Sequence, residues 1–89
     1  MIERTITIIN NLGLHARAAA KFVTIASEFK ADIQVSRNGR TVNGKSIMGM
    51  MMLAAAKDTQ IIIIVDGKDE LTAMYEIEAL INDFFGEGE

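Results

Sequence analysis

Residues 5–20, TITIINNLGLHARAAA, contain the change of pattern that decides the fold. Threonine and isoleucine alternate at their start, which is the period-2 pattern of a half-buried strand. From Ala16 onward alanines predominate, and alanine is a strong helix former. The stretch predicts a strand over residues 2–9, a loop over residues 10–13 with Gly13 as its flexible member, and a helix that begins near Ala16.

The only histidine of the chain, His15, lies at this junction. Backbone N–H groups at a helix start have no partners, and their partial positive charge favours an anion. An imidazole ordinarily titrates near pH 6.5, so it is largely a neutral nucleophile at pH 7. We therefore hypothesise that His15 carries a phosphoryl group, cradled by the backbone amides of Ala16 and Arg17. The alternative is a structural histidine, which caps the helix or makes a hydrogen bond within the core.

Arg17 follows the histidine by two residues, and its guanidinium group suits phosphate or carboxylate. We predict that Arg17 neutralises charge on the phosphoryl group during transfer. The alternative is a solvated arginine in the first helical turn. A cation is slightly unfavourable there against the helix dipole, which favours the functional interpretation.

The first helix is predicted over residues 16–29, because its apolar residues recur at spacings of three and four. They are Ala19, Phe22, Val23, Ala26 and Phe29. A second, short helix is predicted after the loop at residues 43–45. Ser46 is a good N-cap for it, because its hydroxyl can accept a hydrogen bond from a first-turn amide.

Residues 47–53, IMGMMML, are apolar on every side of this second helix, so part of it is buried or reserved for a partner. We expect Met50 and Leu53 to face the core and Met48 and Met51 to face outward. Together with Ala20 and Ile47, the outward methionines form a candidate docking patch, since methionine adapts to several partners. The alternative is that these residues belong to the core.

A β-hairpin is predicted between the two helices. Asn38-Gly39 favours a two-residue type I′ turn, because both positions tolerate positive φ. That turn pairs Val35 with Val42 and Arg37 with Arg40. We expect the valines to face the core and the arginines to extend into water.

Residues 60–65, QIIIIV, are predicted to form a central strand because their apolarity is continuous. On the open face, isoleucines within 61–64 are covered by neighbouring side chains or form a self-association surface. A last helix is predicted from Asp69, a candidate N-cap, to Phe84. Its inner stripe comprises Leu71, Met74, Ile77, Ile81 and Phe84. Residues 86–89, GEGE, are predicted to form a frayed acidic tail.

The element order is thus β-α-β-β-α-β-α within a single domain over residues 1–89, and the apolar stripes place the helices on one face of a four-stranded sheet. Without cysteine, and with one histidine, no metal or cofactor site is expected. The net charge of −3 and strands without aromatic residues disfavour the rival of a nucleic-acid-binding domain. No secretory signal or long apolar segment is visible, which leads us to expect a cytoplasmic protein without membrane insertion.

Two motifs carry a resemblance to a known family. Residues 13–17, GLHAR, followed by Ala19-Ala20, resemble the active-site motif of HPr, the histidine-containing phosphocarrier family of the bacterial phosphotransferase system. Residues 45–49, KSIMG, resemble that family's second motif, and the spacing, length and element order also match. The resemblance covers essentially the whole chain. It implies an α+β fold, an open-faced β-sandwich with a four-stranded antiparallel sheet and three helices on one face.

The resemblance also implies a function. Enzyme I would phosphorylate His15 on Nδ1, and the phosphoryl group would pass to an enzyme II A component, a nitrogen-branch A protein or a related regulatory protein. Such a protein is a stoichiometric carrier in sugar transport or regulation, not a turnover enzyme, and we expect a monomer. Ser46 would be a regulatory phosphorylation site for HPr kinase/phosphorylase. The alternative is a regulatory HPr-like binding module that acts through Ser46 without phosphoryl transfer.

Two features bear on the position of this chain within the family. The stretch at residues 50–56, MMMLAAA, is more similar to non-enteric and nitrogen-branch members than to the enteric sugar protein. Ala18 stands where the family usually has proline. Alanine keeps the helix but lacks the preset φ of proline, so we expect a less rigid site that still transfers the phosphoryl group.

Overall fold

The computed structural model describes all 89 residues, which form four strands and three α-helices. They are β1 (Ile2–Thr7), α1 (Ala16–Ala26), β2 (Asp32–Arg37), β3 (Arg40–Asn43), α2 (Ile47–Met52), β4 (Gln60–Asp66) and α3 (Glu70–Asn82). The strand order is β1-β4-β2-β3, and every neighbouring pair is antiparallel. The predicted fold class and element order are confirmed. None of the helices has the length and apolar character needed to cross a membrane.

The sheet is covered by the helices on one face only. In β4, Ile61, Ile63 and Val65 are fully buried, whereas the alternating Ile62 and Ile64 are half-buried. Because successive strand residues point to opposite faces, this alternation distinguishes the core face from the open face. The prediction of a central strand is confirmed, since β4 lies between β1 and β2.

Three elements end earlier than their patterns predict, and one of them is α3, which ends at Asn82 rather than at Phe84. Strand β1 ends at Thr7 rather than at residue 9, although Ile8 remains buried in the core. Helix α1 ends at Ala26 rather than at residue 29. Beyond it, the amide of Phe29 donates to the carbonyl of Ala26, 3.2 Å away and three residues earlier, so the chain tightens and leaves the α-helical spacing.

The predicted hairpin forms with the predicted register, Val35 opposite Val42 and Arg37 opposite Arg40. The prediction that both arginines extend into water is correct for Arg40, which is exposed, and wrong for Arg37, which is half-buried. Arg37 Nη1 donates to the carbonyl of Leu53 at 3.0 Å, and Arg40 Nη1 donates to that of Met52 at 3.1 Å. Carbonyl groups at a helix C-terminus have no partner within the helix, so the two cations bind the end of α2.

The predicted start of the last helix is correct in position but wrong in its contacts. Asp69 precedes α3 but makes no capping hydrogen bond. Its carboxylate instead accepts hydrogen bonds from the amides of Lys30 at 2.8 Å and Ala31 at 2.9 Å. The bond from the Lys30 amide is the main reason that the pKa of Asp69 lies below its ordinary value, against the opposing effect of burial. Asp69 therefore ties α3 to the segment before β2.

The predicted inner stripe of α3 is partly wrong. Met74, Ile77 and Ile81 are buried, but Leu71 is 74% exposed. Ala73 is the buried residue of the first turn instead. At the other end Phe84 is only half-buried, and Phe85, in a short 3-10 turn over Phe84–Gly86, is fully buried.

The junction between β1 and α1 is held against the segment that follows α2. The amide of Leu14 donates to the carbonyl of Ala55 at 2.9 Å. Gly13 has a φ of +66°, and a Cβ added there would lie 2.5 Å from the same carbonyl oxygen. Only glycine fits this approach, because any other residue would be both strained and in contact with backbone.

Replacing Gly13 with alanine should therefore destabilise the protein more than replacing Gly39. Gly39 has a φ of +81° but nothing within 4 Å of an added Cβ. The stability lost in Gly39→Ala is therefore the cost of the backbone conformation alone. We expect a loss of about 1 kcal/mol for Gly39→Ala and at least about 2 kcal/mol for Gly13→Ala in urea unfolding. Equal losses would contradict the close approach of Gly13 to Ala55.

Candidate functional site

The loop after β1 places His15 at the N-cap position of α1. The backbone of His15 is extended, with φ −73° and ψ 178°, and its carbonyl accepts the first helical hydrogen bond from Ala19 at 2.9 Å. The imidazole makes no capping hydrogen bond to the first turn. The amides of Ala16 and Arg17 precede the first helical donor, so they are available to an anion beside the ring.

Arg17 is exposed in the first turn of α1 and lines a groove that also includes Glu87, the hydrogen-bond partner of His15. Lys21 lines the same groove one helical turn later, and Glu87 and Glu89 form its other side. Two cations of α1 therefore face two acidic residues of the chain end. The histidine and the arginine that the sequence predicts to act together do lie at one helix start.

The prediction of a frayed acidic tail is wrong, because Glu87 reaches the histidine. Glu87 Oε2 is hydrogen-bonded to His15 Nε2, and Glu87 Oε1 accepts from Asn10 Nδ2 at 3.0 Å. The carboxyl side chain is only 11% exposed. A buried carboxylate needs such partners, since desolvation without them is costly.

Several opposing effects act on the acidity of Glu87. Burial acts to raise the pKa of Glu87. The hydrogen bonds from Asn10 and His15, together with the nearby charges of His15 and Lys21, outweigh burial and lower the pKa below its ordinary value. Glu87 is therefore an anion at neutral pH, held by partners on both of its oxygens.

Asn10 links the chain end to the loop that carries the histidine. It is the one fully buried polar side chain, and its Nδ2 donates to Gly13 O at 2.9 Å as well as to Glu87. Both partners are acceptors, so the amide group must present its NH2 to them. Its Oδ1 has no hydrogen-bond partner.

The second predicted motif lies at the start of α2. Ser46 is the N-cap, as predicted, and its Oγ accepts from the amide of Gly49 at 3.1 Å. Met50 and Leu53 are buried while Ile47, Met48 and Met51 are exposed, which confirms the predicted orientation of the helix. Their candidate docking patch also includes the half-buried Ala20 of α1, and α1 packs against α2. Met52, outside the predicted patch, is also exposed.

Ala18 does not disturb the start of α1. It lies in the first turn with helical geometry and is fully buried. A residue without proline's ring therefore fills this position and still packs into the core.

The sequence interpretation missed Glu87 and Asn10. Glu87 lies 72 positions from His15, in a run of alternating glycine and glutamate that carries no periodic pattern. For Asn10 the sequence predicts only a place in a loop. Asparagine is common in turns, so its presence there does not predict the contact with Glu87.

Comparison with known proteins connects this geometry with one family. Residues 2–83 match the model described as "PTS HPr component phosphorylation site". The phosphocarrier protein HPr of Neisseria meningitidis serogroup A is 57% identical over 89 residues, which is all of both chains.

Solved structures of a second organism agree. The HPr of Thermoanaerobacter tengcongensis has a TM-score of 0.94 and 44% identity, with 98% of each chain covered. A dimer of the HPr from the same organism has a TM-score of 0.79 and 44% identity, covering 98% of this chain and 100% of that one.

The lowered pKa of Glu87 predicts a change of stability with pH. The ionised carboxylate contributes stability above the ordinary pKa of 4.5, and this contribution is lost as the pH falls through the lowered pKa. Between pH 5.5 and pH 3, thermal unfolding of the wild type should therefore lose more stability than that of Glu87→Gln. Glu89→Gln, with its exposed side chain, should behave as the wild type. A wild-type loss equal to that of Glu87→Gln would contradict the contact.

Proposed function

The chain belongs to the HPr component family of the phosphotransferase system, and on this basis we propose that His15 accepts a phosphoryl group on Nδ1 from enzyme I and later gives it away. The chain is thus a phosphocarrier protein of that system. One observation supports this role of His15. It is the N-cap residue of α1, but its ring makes no capping hydrogen bond and lies beside the amides of Ala16 and Arg17.

The start of α1 supplies what the transfer needs electrostatically. The phosphoryl oxygens would accept hydrogen bonds from the amides of Ala16 and Arg17, and the helix dipole favours their charge. Arg17, exposed on the first turn, would neutralise further charge as the group enters and leaves. We propose that the chain is a stoichiometric carrier rather than a turnover enzyme, because the phosphoryl group on His15 would be received from one protein and passed on to another.

We propose an A component of an enzyme II, or a nitrogen-branch A protein, as the acceptor of the phosphoryl group. Exchange with these partners and enzyme I would take place in the cytoplasm, in keeping with a chain that has no cysteine to form disulfides. We propose that the carrier works as a monomer. Sedimentation equilibrium that returns the mass of one chain supports this, and twice that mass favours a dimer.

The role of His15 and Arg17 is tested by incubation with enzyme I and phosphoenolpyruvate. The wild type should acquire an acid-labile phosphate, and His15→Ala should acquire none. Arg17→Ala should be phosphorylated about 10- to 100-fold more slowly, because one charged group that stabilises the transferred phosphoryl is lost. Lys68→Ala, a change at an exposed cation before α3, is the matched control and should have the wild-type rate.

The opposite results would each exclude part of this proposal. A wild type without acid-labile phosphate would favour the regulatory binding module that acts through Ser46. Equal labelling of His15→Ala would exclude His15 as the acceptor. If Arg17→Ala and Lys68→Ala lowered the phosphorylation rate equally, the effect of Arg17 would be one of net charge alone.

Ser46 is proposed as a regulatory phosphorylation site for HPr kinase/phosphorylase. Its hydroxyl caps α2 through Gly49, and a phosphate at a helix N-terminus is electrostatically tolerated. The added charge would lie next to Ile47 and Met48 in the docking patch, so we expect it to act on partner binding rather than on the fold.

The docking patch is tested by two substitutions of equally exposed residues. Met48 on α2 is 72% exposed and Leu71 on α3 is 74% exposed. Met48→Glu should raise the Kd for enzyme I about tenfold, as expected for a central apolar contact, and Leu71→Glu should leave it unchanged. Ser46→Asp should also raise the Kd while the Tm stays near that of the wild type. Equal effects of Met48→Glu and Leu71→Glu would contradict the patch.

A further inference from the structure

The carboxylate of Glu87 holds one particular nitrogen of the histidine ring. An ionised carboxylate can only accept hydrogen bonds, so His15 Nε2 must be the donor in their contact. In a neutral imidazole the other nitrogen, Nδ1, then carries the lone pair. The second oxygen of Glu87 is occupied by Asn10, so the carboxylate is fixed in orientation as well as in charge.

Contacts on both sides of Glu87 hold its segment against the loop that carries His15. Phe84 and Phe85 have positive φ values of +57° and +52°, which bulky residues adopt only when their surroundings require it. Phe85 is fully buried, and its carbonyl accepts from Lys21 Nζ at 2.7 Å. On the other side, the carbonyl of Glu89 accepts from the amide of Asn11 at 3.1 Å. The segment is therefore anchored before and after Glu87.

We propose that Glu87 is a positioning residue for phosphoryl transfer, which keeps the proton on His15 Nε2 and so presents Nδ1 as the nucleophile. The proposal rests on the function assigned above to His15. It adds to that function a group from the chain end, which touches the ring on the nitrogen that does not react.

The transfer balances without any proton movement at the ring. The Nδ1 lone pair forms the bond to phosphorus, while the bond from phosphorus to the donor group of enzyme I breaks and its electrons leave with the donor. The ring becomes a cation that keeps its Nε2 proton, and the Glu87 carboxylate neutralises this charge. When the phosphoryl group leaves, the electrons of the N–P bond return to Nδ1, and the neutral ring is restored.

The surrounding charges suit this arrangement. Arg17 and Lys21 from α1 line the groove that Glu87 and Glu89 close from the other side. The two cations offset the repulsion between the acidic chain end and an incoming phosphoryl group. The lowered pKa of Glu87 keeps it ionised throughout the neutral range.

The proposal is tested on the unphosphorylated protein with histidine labelled by 15N, since the single histidine gives only two ring signals. At a pH where the ring is neutral, the wild type should have a protonated Nε2 and an unprotonated Nδ1. In Glu87→Ala the two signals should move towards each other as the tautomers mix. Glu76→Ala, which removes an exposed carboxylate of α3 outside the groove, is the matched control and should match the wild type.

The rate of phosphorylation by enzyme I gives the second measurement. Glu87→Ala should react about tenfold more slowly than the wild type and than Glu76→Ala, because the ring is no longer held in its productive form. Glu87→Gln, which keeps the side-chain volume, should also be slowed and serves if Glu87→Ala does not fold.

The results separate this inference from the function on which it rests. Wild-type signals and wild-type rates in the Glu87 variants would overturn the positioning role and leave His15 as the acceptor. A wild type that takes no phosphate would overturn both, even if the ring signals change in Glu87→Ala.

Discussion

The close approach of the loop before α1 to the segment after α2 is the constraint on which the site depends. Gly13 lies so near the carbonyl of Ala55 that no side chain fits, and the amide of Leu14 donates to that same oxygen. Because His15 is the next residue, its position at the start of α1 is fixed by two backbone groups rather than by its own ring. The imidazole makes no capping hydrogen bond, and its Nδ1, the nitrogen not bound to Glu87, therefore remains available for chemistry.

The second half of the site comes from the opposite end of the chain. Two residues in the left-handed region turn the chain after α3, and the buried Phe85 offsets the strain of this turn. Glu87 then lies against His15 and Asn10. The site thus combines a cationic helix start, which would favour a phosphoryl group, with the Glu87 carboxylate, which would favour a positively charged ring.

The sequence predicts well those features that depend on neighbouring residues. The hairpin register follows from Asn38-Gly39, the cap at Ser46 from one hydroxyl, and the position of His15 from a change of local pattern. It fails where contacts join distant parts of the chain. Asp69 bonds to the segment before β2 instead of capping α3, and the tail that composition predicts to fray is docked. Local periodicity carries no information about such contacts.

The nitrogen that carries the phosphorus is the most direct test of this account. It can be measured in the phosphorylated protein, with 15N-labelled histidine, from the one-bond coupling between 31P and 15N. The account predicts coupling to Nδ1 of His15 and a proton on Nε2, the nitrogen bound to Glu87. Coupling to Nε2, or no coupling to either ring nitrogen, would contradict it.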